Sequence, residues 1–373
     1  MSKNCYICED PLDDSNKSKE HVLLNAIGGR LKSTDLLCSK CNNEQGSDAD
    51  KHLAEQLAFW SSFFNVKRDS GKNALIKGGK GKSGKTYHLK DGTKPILANP
   101  EFNKEVNGNE VTYSLTARDD KEMKSMLEGI KKKHADFDVE KAMDNAQYIE
   151  EYLNEPIKFQ TVVGGEKSFP SILKTAINFF ILNGGRRKDI EDLIPYLNGK
   201  TLTTQVKHFH PKKSVYKKDA NEIIHMIHMV GSKGKKVLYC FVELFSSFSF
   251  LVMLSDNYEG SSLSKTYAYD VLNRKEVTKM VDLKMDKKKF STISVIEKSD
   301  FESINKKILR AFKIGDKKHR DAEVSNLVHR VVERIFTRYS HEKYFTEEML
   351  NALSRELALE YVKFTFRNHD KHQ

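Results

Sequence analysis

Two cysteine pairs with the same spacing constrain the N-terminal part of the chain more than any other feature. They are Cys5-x2-Cys8 and Cys38-x2-Cys41. Two thiolates at this spacing can reach adjacent corners of a Zn²⁺ tetrahedron, and four cysteines close the coordination shell. Because a closed shell leaves no position for water, the pairs predict a structural zinc that holds together a segment too small to bury its own core. Cys240 lies in an apolar run, which is typical of a buried thiol.

The charge balance favours a polyanionic partner. The chain has 373 residues, with 63 Lys or Arg against 52 Asp or Glu, so the net charge is +11. A mean hydropathy of −0.60 indicates a soluble globular protein and excludes collagen-like, coiled-coil and wholly disordered chains. The sequence has no apolar run long enough to cross a bilayer and begins without an apolar signal region. We therefore expect a cytoplasmic protein that does not contact membranes.

The residues between and after the cysteine pairs predict two strands followed by a helix. Glu20–His21 begins a stretch rich in leucine and β-branched residues, and Gly28–Gly29 supplies a turn. Asp35–Leu37 predicts a second strand that leads into the second cysteine pair. From about Cys41 the apolar residues recur at helical spacing. The expected product is a small unit of two strands and a helix, held by zinc.

This N-terminal segment resembles the zinc-containing HNH endonucleases, whose active site is a ββα-metal finger. The shared signature reads C-x2-C, then Glu-His, then Gly-Gly, then Leu-Cys-x2-Cys-Asn, within about the first 60 residues. The Asn after the last cysteine makes the chain similar to the Asn-variant enzymes, which include nucleases of the endonuclease VII type. The resemblance implies hydrolysis of phosphodiester bonds in DNA.

The resemblance also implies a role for four residues. A histidine titrates near neutral pH, so His21 is the predicted general base that takes a proton from water. Glu20 and Asn42 are implied to bind one Mg²⁺ or Mn²⁺ in an oxygen-rich site open to water and to the substrate phosphate. Neighbouring strand residues point to opposite sides, so Glu20 and His21 need an irregular backbone to face one site. Asp35 stands where the family usually has Asn; it either accepts a hydrogen bond from the His21 imidazole or only ends a strand.

Three other motifs leave alternatives open. The stretch Gly79–Thr86 fits the phosphate-binding pattern G-x-x-x-x-G-K-[ST], but a strand and a turn are predicted after it, which favours a basic hairpin loop over a nucleotide site. Asp50 and His52 either contribute to metal or DNA contacts or lie on a solvated helix face. His225 and His228 would face opposite sides of a strand, so we interpret them as core or surface histidines rather than metal ligands.

The remaining residues predict an α+β body and a helical C-terminal region. The pattern favours helices at 119–133 and 169–180, and strands at 156–164, 221–230, 237–245, 248–254 and 265–271, the last four as an antiparallel meander. We therefore expect an α+β protein with three regions. They are a zinc-stabilised HNH finger at 1–66, a mixed α+β body with an antiparallel sheet at 67–298, and a helical region at 299–373.

The sequence thus favours a metal-dependent DNA endonuclease, with defence against foreign DNA or its restriction as the expected setting. One finger cuts one strand, so double-strand cleavage would require two copies, and a homodimer is expected. Whether the body recognises DNA, senses a ligand, dimerises the nuclease or binds an activator or other partner protein stays open. The alternative is a zinc-dependent nucleic-acid-binding or adaptor protein with an inactive nuclease finger.

Overall fold

The computed structural model describes residues 4–46, 48–69, 75–90, 94–108, 110–147, 153, 155–160, 162–197, 204–293 and 298–369. The chain divides into two compact units, 1–305 and 306–373. Helices and antiparallel sheets are both present, which confirms the predicted α+β class. In these described ranges, no helix is long and apolar enough to span a membrane.

The N-terminal finger consists of two short strands and three helices. They are β1 (Glu20–His21), β2 (Lys32–Ser33), α1 (Ser39–Gly46), α2 (Ala49–Gln56) and α3 (Ala58–Phe63). Strand β1 pairs antiparallel with β2, which places Glu20 opposite Ser33. The prediction of the second strand at Asp35–Leu37 is wrong, because the Asp35 N–H donates to the Ser33 hydroxyl and turns the chain away from β1. Leu36 and Leu37 are fully buried in the finger core.

The predicted glycine turn lies between β1 and β2, directly after a 3-10 turn at Asn25–Ile27. Gly28 has a φ of +92°, a left-handed conformation that side chains strain. A Cβ atom on Gly29 would lie 2.0 Å from the Leu23 carbonyl oxygen. Both positions therefore require glycine, and the predicted turn is confirmed.

Two small sheets and two helices follow the finger. They are β3 (Ile76–Lys80), β4 (Thr86–Lys90) and β5 (Lys94–Leu97), then β6 (Glu101–Asn107) and β7 (Glu110–Thr116), then α4 (Asp120–Lys131) and α5 (Val139–Asp144). The phosphate-binding pattern at Gly79–Thr86 spans the β3–β4 hairpin. It opens no helix, so its interpretation as a basic hairpin loop is confirmed.

The strand predicted at 156–164 is wrong. In its described residues, pairing is limited to an isolated bridge between Lys158 and Lys80. Ile157 and Phe159 instead cover Gly79, where an added Cβ would lie within 2.4 Å of both side chains. The segment thus packs its side chains over Gly79 of β3 and does not add a further strand to the sheet.

A six-stranded antiparallel sheet forms the core of the first unit. Its region contains α6 (Phe169–Leu182), α7 (Ile194–Leu197), β8 (Val206–His208), β9 (Ile224–Ser232), β10 (Val237–Leu244), β11 (Phe248–Ser255), β12 (Leu263–Asp270), β13 (Lys275–Glu276) and α8 (Lys287–Ser291). The strand order is β13-β12-β9-β10-β11-β8. Helix α6 packs on this sheet, and its residues 171–180 are all buried.

The four predicted strands are present, but the meander holds for only three of them. Strands β9, β10 and β11 follow one another as hairpins. Strand β12 returns to β9 instead of pairing with β11, because β8 occupies the other edge of β11. Strands β9 and β10 therefore lie at the centre of the sheet, and β13 and β8 lie at its two edges.

The predicted helical C-terminal region is confirmed by α9 (Lys298–Arg338) and α10 (Glu347–His369). Within the second unit, Leu327, Val331 and Ile335 of α9 are buried against Leu353 and Leu357 of α10. Glu356 forms ion pairs with Arg334 and Arg338. The second unit therefore has its own apolar core, formed between α9 and α10.

Candidate active site

The four predicted zinc ligands converge at the base of the finger. Their sulfur atoms all lie within 4.8 Å of one another, and the Sγ atoms of Cys8 and Cys38 are 3.8 Å apart. A tetrahedron with Zn–S bonds of about 2.3 Å has edges of about 3.8 Å. Partial burial raises the pKa of the Cys8 thiol to about 11, so a thiolate there needs a bound cation at neutral pH. The four cysteines therefore fit a structural zinc.

Helix α1 begins inside the second cysteine pair and places Asn42 directly after the last ligand. The backbone N–H of Cys41 donates to the Cys38 sulfur at 3.4 Å, which ties the first turn to the cluster. The side-chain amide of Asn42 donates to the Ser18 hydroxyl just before β1. Asn42 thus connects the cysteine cluster to the strand that carries Glu20 and His21.

The Glu20 side chain is buried between the finger and helix α6. Its side chain is only 7% exposed, and its Oε1 atom lies 2.9 Å from Nζ of Lys174. The amide of Asn178, one turn further along α6, donates to the same oxygen at 3.0 Å. Asn178 in turn accepts a 2.8 Å hydrogen bond from the Tyr6 hydroxyl, next to the first zinc ligand. Glu20 is therefore held from both the finger and the body.

Lys174 is shared between two finger carboxylates. Its Nζ atom lies 2.5 Å from Oδ2 of Asp50, whose other oxygen accepts from the Ser171 hydroxyl. Burial alone would lower the pKa of Lys174, but the carboxylates of Asp50 and Glu20 outweigh it and raise the pKa above its usual value. The lysine therefore stays charged, and Asp50 belongs to a buried network rather than to a solvated helix face.

In this arrangement Lys174 competes with any divalent cation at Glu20. Oε1 of Glu20 already faces the ammonium group of Lys174, and a second cation at the same oxygen would be repelled by that group. Within the part of the chain that the structure describes, the four cysteines are the one cluster of three or more His, Cys, Asp or Glu side chains close enough to share a metal. The implied role of Glu20 and Asn42 as ligands of Mg²⁺ or Mn²⁺ stays a prediction, which requires Lys174 to move.

His21 lies on the opposite side of β1 from Glu20, as a regular strand requires. Its Nε2 atom is 3.2 Å from Oδ2 of Asp69, and its side chain is 20% exposed. The same carboxylate is paired with Arg30, and Nζ of Lys32 approaches it at 3.4 Å. The imidazole thus lies at the surface, beside one carboxylate and two cations.

Asp35 lies in the exposed turn after β2. Its proposed hydrogen bond to His21 stays a prediction, whereas a contact between Asp69 and His21 is present. Sequence reasoning missed Asp69, which follows the finger and belongs to no motif. It also missed Lys174 and Asn178, although a signal existed: these two polar residues lie four apart on one face of a mostly apolar helix.

The large sheet supports the finger from below. His225 of β9 accepts the Phe245 N–H at its Nδ1 atom, so its Nε2 atom carries a proton and donates to the Ile27 carbonyl oxygen at 2.8 Å. Burial lowers the pKa of His225 to about 4, so the ring is neutral. Phe64 stacks on Phe245 with ring centres 5.7 Å apart. The interpretation of His225 and His228 as core histidines is confirmed, since both are buried.

Comparison with known proteins agrees with this geometry over the finger. A family model described as HNH endonuclease matches residues 5–58, which contain both cysteine pairs, β1, β2, α1 and α2. No curated protein and no solved structure matches the chain. The matched segment has the Glu-His strand and the four clustered cysteines that the sequence signature requires. Over residues 5–58 the chain is therefore similar to the HNH endonuclease family.

Proposed function

We propose that the protein is a DNA endonuclease in which His21 activates water. The supporting observation is that the imidazole of the Glu-His strand lies at the surface beside Arg30 and Lys32. As the water oxygen bonds to phosphorus, its proton passes to His21. The bond from phosphorus to the 3′-oxygen breaks, and this oxygen takes up a proton from solvent. The two cations beside His21 favour binding of the negatively charged phosphodiester.

The two cations beside His21 support a phosphodiester as the substrate. The side chains of Arg30 and Lys32 are 33% and 35% exposed, and the chain has a net charge of +11. Lysines and arginines that neutralise backbone phosphates release counterions, so binding should weaken steeply with salt. These contacts carry no sequence information, and specificity would have to come from other parts of the protein.

The biological setting rests on the family resemblance alone. We propose dependence on Mg²⁺ or Mn²⁺, a cytoplasmic role in defence or restriction of foreign DNA, and action as a homodimer in which each finger cuts one strand. An activator or partner protein that contacts the body is part of the same proposal.

The decisive experiment is cleavage of supercoiled plasmid by the wild-type protein and by His21→Ala, each with Mg²⁺, Mn²⁺ or EDTA, after zinc content has been measured. We expect nicking or linearisation by the wild type and a loss of roughly 10²- to 10⁴-fold in rate for the variant. His341→Ala, whose ring is exposed in the second unit, is the matched control and should cleave normally. Equal cleavage by His21→Ala and the wild type would contradict the proposal.

A second candidate is a zinc-stabilised nucleic-acid-binding module without catalysis. The observation that favours it is the ion pair of Glu20 with Lys174, because the lysine contacts the carboxylate that was implied to bind the catalytic metal. Under this candidate, the zinc-loaded protein binds DNA but leaves plasmid intact in every metal, and His21→Ala changes nothing. Cleavage that depends on His21 would exclude it.

A further inference from the structure

We propose that Asp69 is a positioning residue for His21, which fixes the ring so that Nδ1 accepts the proton of the attacking water. This inference rests on the proposed role of His21 and adds a residue outside the matched segment 5–58. The identity of the ring nitrogen that acts as base is set by the hydrogen bond that the other nitrogen makes.

The geometry assigns the proton of the neutral ring to Nε2. An ionised carboxylate only accepts hydrogen bonds, and Oδ2 of Asp69 is 3.2 Å from Nε2 of His21. Partial burial works to raise the pKa of Asp69, but the charge of Lys32 and the hydrogen bonds from Lys32 and His21 outweigh it and hold that pKa below its usual value. A carboxylate that stays ionised keeps the Nε2–H tautomer in place, and Nδ1 retains its lone pair for water.

Asp69 is fixed by its backbone as well as by its side chain. Its N–H donates to the side-chain oxygen of Asn25 at 3.0 Å, within the turn that follows β1. Arg30 pairs with the Asp69 carboxylate and also donates to the Lys67 carbonyl oxygen at 2.7 Å. The chain is therefore fastened to the finger at Lys67 and at Asp69 itself, which is the arrangement that an orienting group requires.

The same contacts argue against a second interpretation, in which the substrate phosphate displaces the Asp69 carboxylate. A carboxylate surrounded by His21, Arg30 and Lys32 resembles a bound phosphodiester in charge, so substrate could in principle displace it. Displacement would break the ion pair of Asp69 with Arg30, while the Asp69 N–H and the Lys67 carbonyl still hold the backbone next to the finger. The fixed backbone therefore favours positioning over mimicry of the substrate.

The test compares Asp69→Asn, which keeps the shape and removes the charge, with Asp14→Asn, the same change at an exposed position of the finger. The full chain is used, and zinc content and thermal unfolding establish that each variant is folded. We expect Asp69→Asn to lower kcat for plasmid cleavage by roughly tenfold or more with little change in KM. In the His21→Ala background the same substitution should cause no further loss, because Asp69 acts through His21.

A second readout does not depend on cleavage. In ¹⁵N-labelled protein, the histidine signals that disappear in His21→Ala should report the Nε2–H tautomer in the wild type and a mixture of tautomers in Asp69→Asn. An unchanged tautomer in Asp69→Asn would overturn the inference, as would an equal loss of kcat in both backgrounds or faster cleavage by Asp69→Asn. If no protein cleaves DNA, the proposed function fails, and the tautomer comparison still decides the role of Asp69.

Discussion

The ammonium group of Lys174 is buried against the carboxylates of Glu20 and Asp50, with only 5% of its side chain exposed. Three charges out of water are costly unless each is compensated, and here one positive charge faces two negative ones. Hydrogen bonds from Asn178 and Ser171 to the carboxylates supply part of the remaining compensation. Removing the lysine would leave two buried carboxylates without a cation.

We therefore expect Lys174→Met to lower the free energy of unfolding by about 3–5 kcal/mol, measured by urea denaturation at pH 7. Lys188→Met is the matched control, because Lys188 is exposed, and it should stay within about 0.5 kcal/mol of the wild type. A loss below about 1 kcal/mol for Lys174→Met would show that the carboxylates are neutralised in another way.

The same variant tests the implied metal site. If Glu20 binds a divalent cation only when Lys174 has moved, then folded Lys174→Met should bind Mn²⁺ more tightly than the wild type does. Electron paramagnetic resonance of free Mn²⁺ measures this affinity without any need for cleavage. Equal binding by both proteins would mean that the lysine does not compete with a metal.

At the level of elements, β1 shows why a motif does not by itself define a site. Glu20 and His21 are adjacent in sequence and in the family signature, yet one faces α6 and the other faces Asp69. Period-two alternation in a strand is enough to separate them. The strand thus connects a buried ion-pair network with a surface imidazole through a single peptide bond.

Strand β9 joins the sheet to the turn after β1, and this junction should be sensitive to acid. The folded protein keeps His225 neutral down to about pH 4, whereas the ordinary pKa of histidine is 6.5. Between these values the unfolded chain binds a proton that the native state does not, so stability falls as the pH is lowered. The difference corresponds to about 3 kcal/mol.

Urea unfolding at pH 7 and at pH 4.5 measures this effect in the wild type and in His225→Gln, which keeps a donor for the Ile27 carbonyl. We expect about 2–3 kcal/mol of the stability lost on acidification to disappear in the variant. His341→Gln, at an exposed site, should lose as much as the wild type. The same acid loss in His225→Gln would mean that another group is responsible.

The elements that the sequence predicted well are those whose signals are local. The spacing of Cys5, Cys8, Cys38 and Cys41, the Gly28–Gly29 turn and the apolar run of α6 each depend on a few neighbouring residues. The strand at 35–37 was wrong because a local hydrogen bond from Asp35 to Ser33 overrode the apolar pattern. The place of β12 was wrong because it depends on which sheet edge β8 already occupies.

Of the candidate site, the sequence predicted the cluster of four cysteines, whereas the roles of Glu20, His21, Asp35 and Asn42 stay predictions. Contacts between distant parts of the chain are not recorded in spacing, so the partners Asp69 and Lys174 were not found. The polar residues of α6 were a usable signal, since an apolar helix rarely carries a buried lysine without a partner. Asp69 had no comparable signal.

At the scale of the whole molecule, the finger at 1–66 shares its buried contacts with the body. Glu20 and Asp50 need Lys174, the Ile27 carbonyl needs His225, and Trp60 packs against Phe248 at a ring distance of 5.4 Å. Each of these partners lies more than a hundred residues beyond the finger residue that it contacts. The finger and the sheet therefore share one set of buried contacts.

We expect a fragment of residues 1–66 to bind zinc through its four cysteines but to show weak protection of β1 amides in hydrogen exchange. A fragment of residues 1–305 contains every partner named above and should protect the same amides as the full chain. Equal protection in the two fragments would show that zinc alone holds the strand of Glu20 and His21.

Because these contacts join residues far apart in the sequence, they cannot all form at the same time during synthesis. A ribosome completes the cysteine pairs long before it reaches His225, and at about 5–20 residues per second the delay is on the order of ten seconds or more. During that interval a nascent chain carries the four cysteines and His21, at first without Lys174 beside Glu20 and then still without the sheet that supports Ile27. The finger surface that carries His21 therefore reaches its final structure only after the last strands of the sheet have been synthesised.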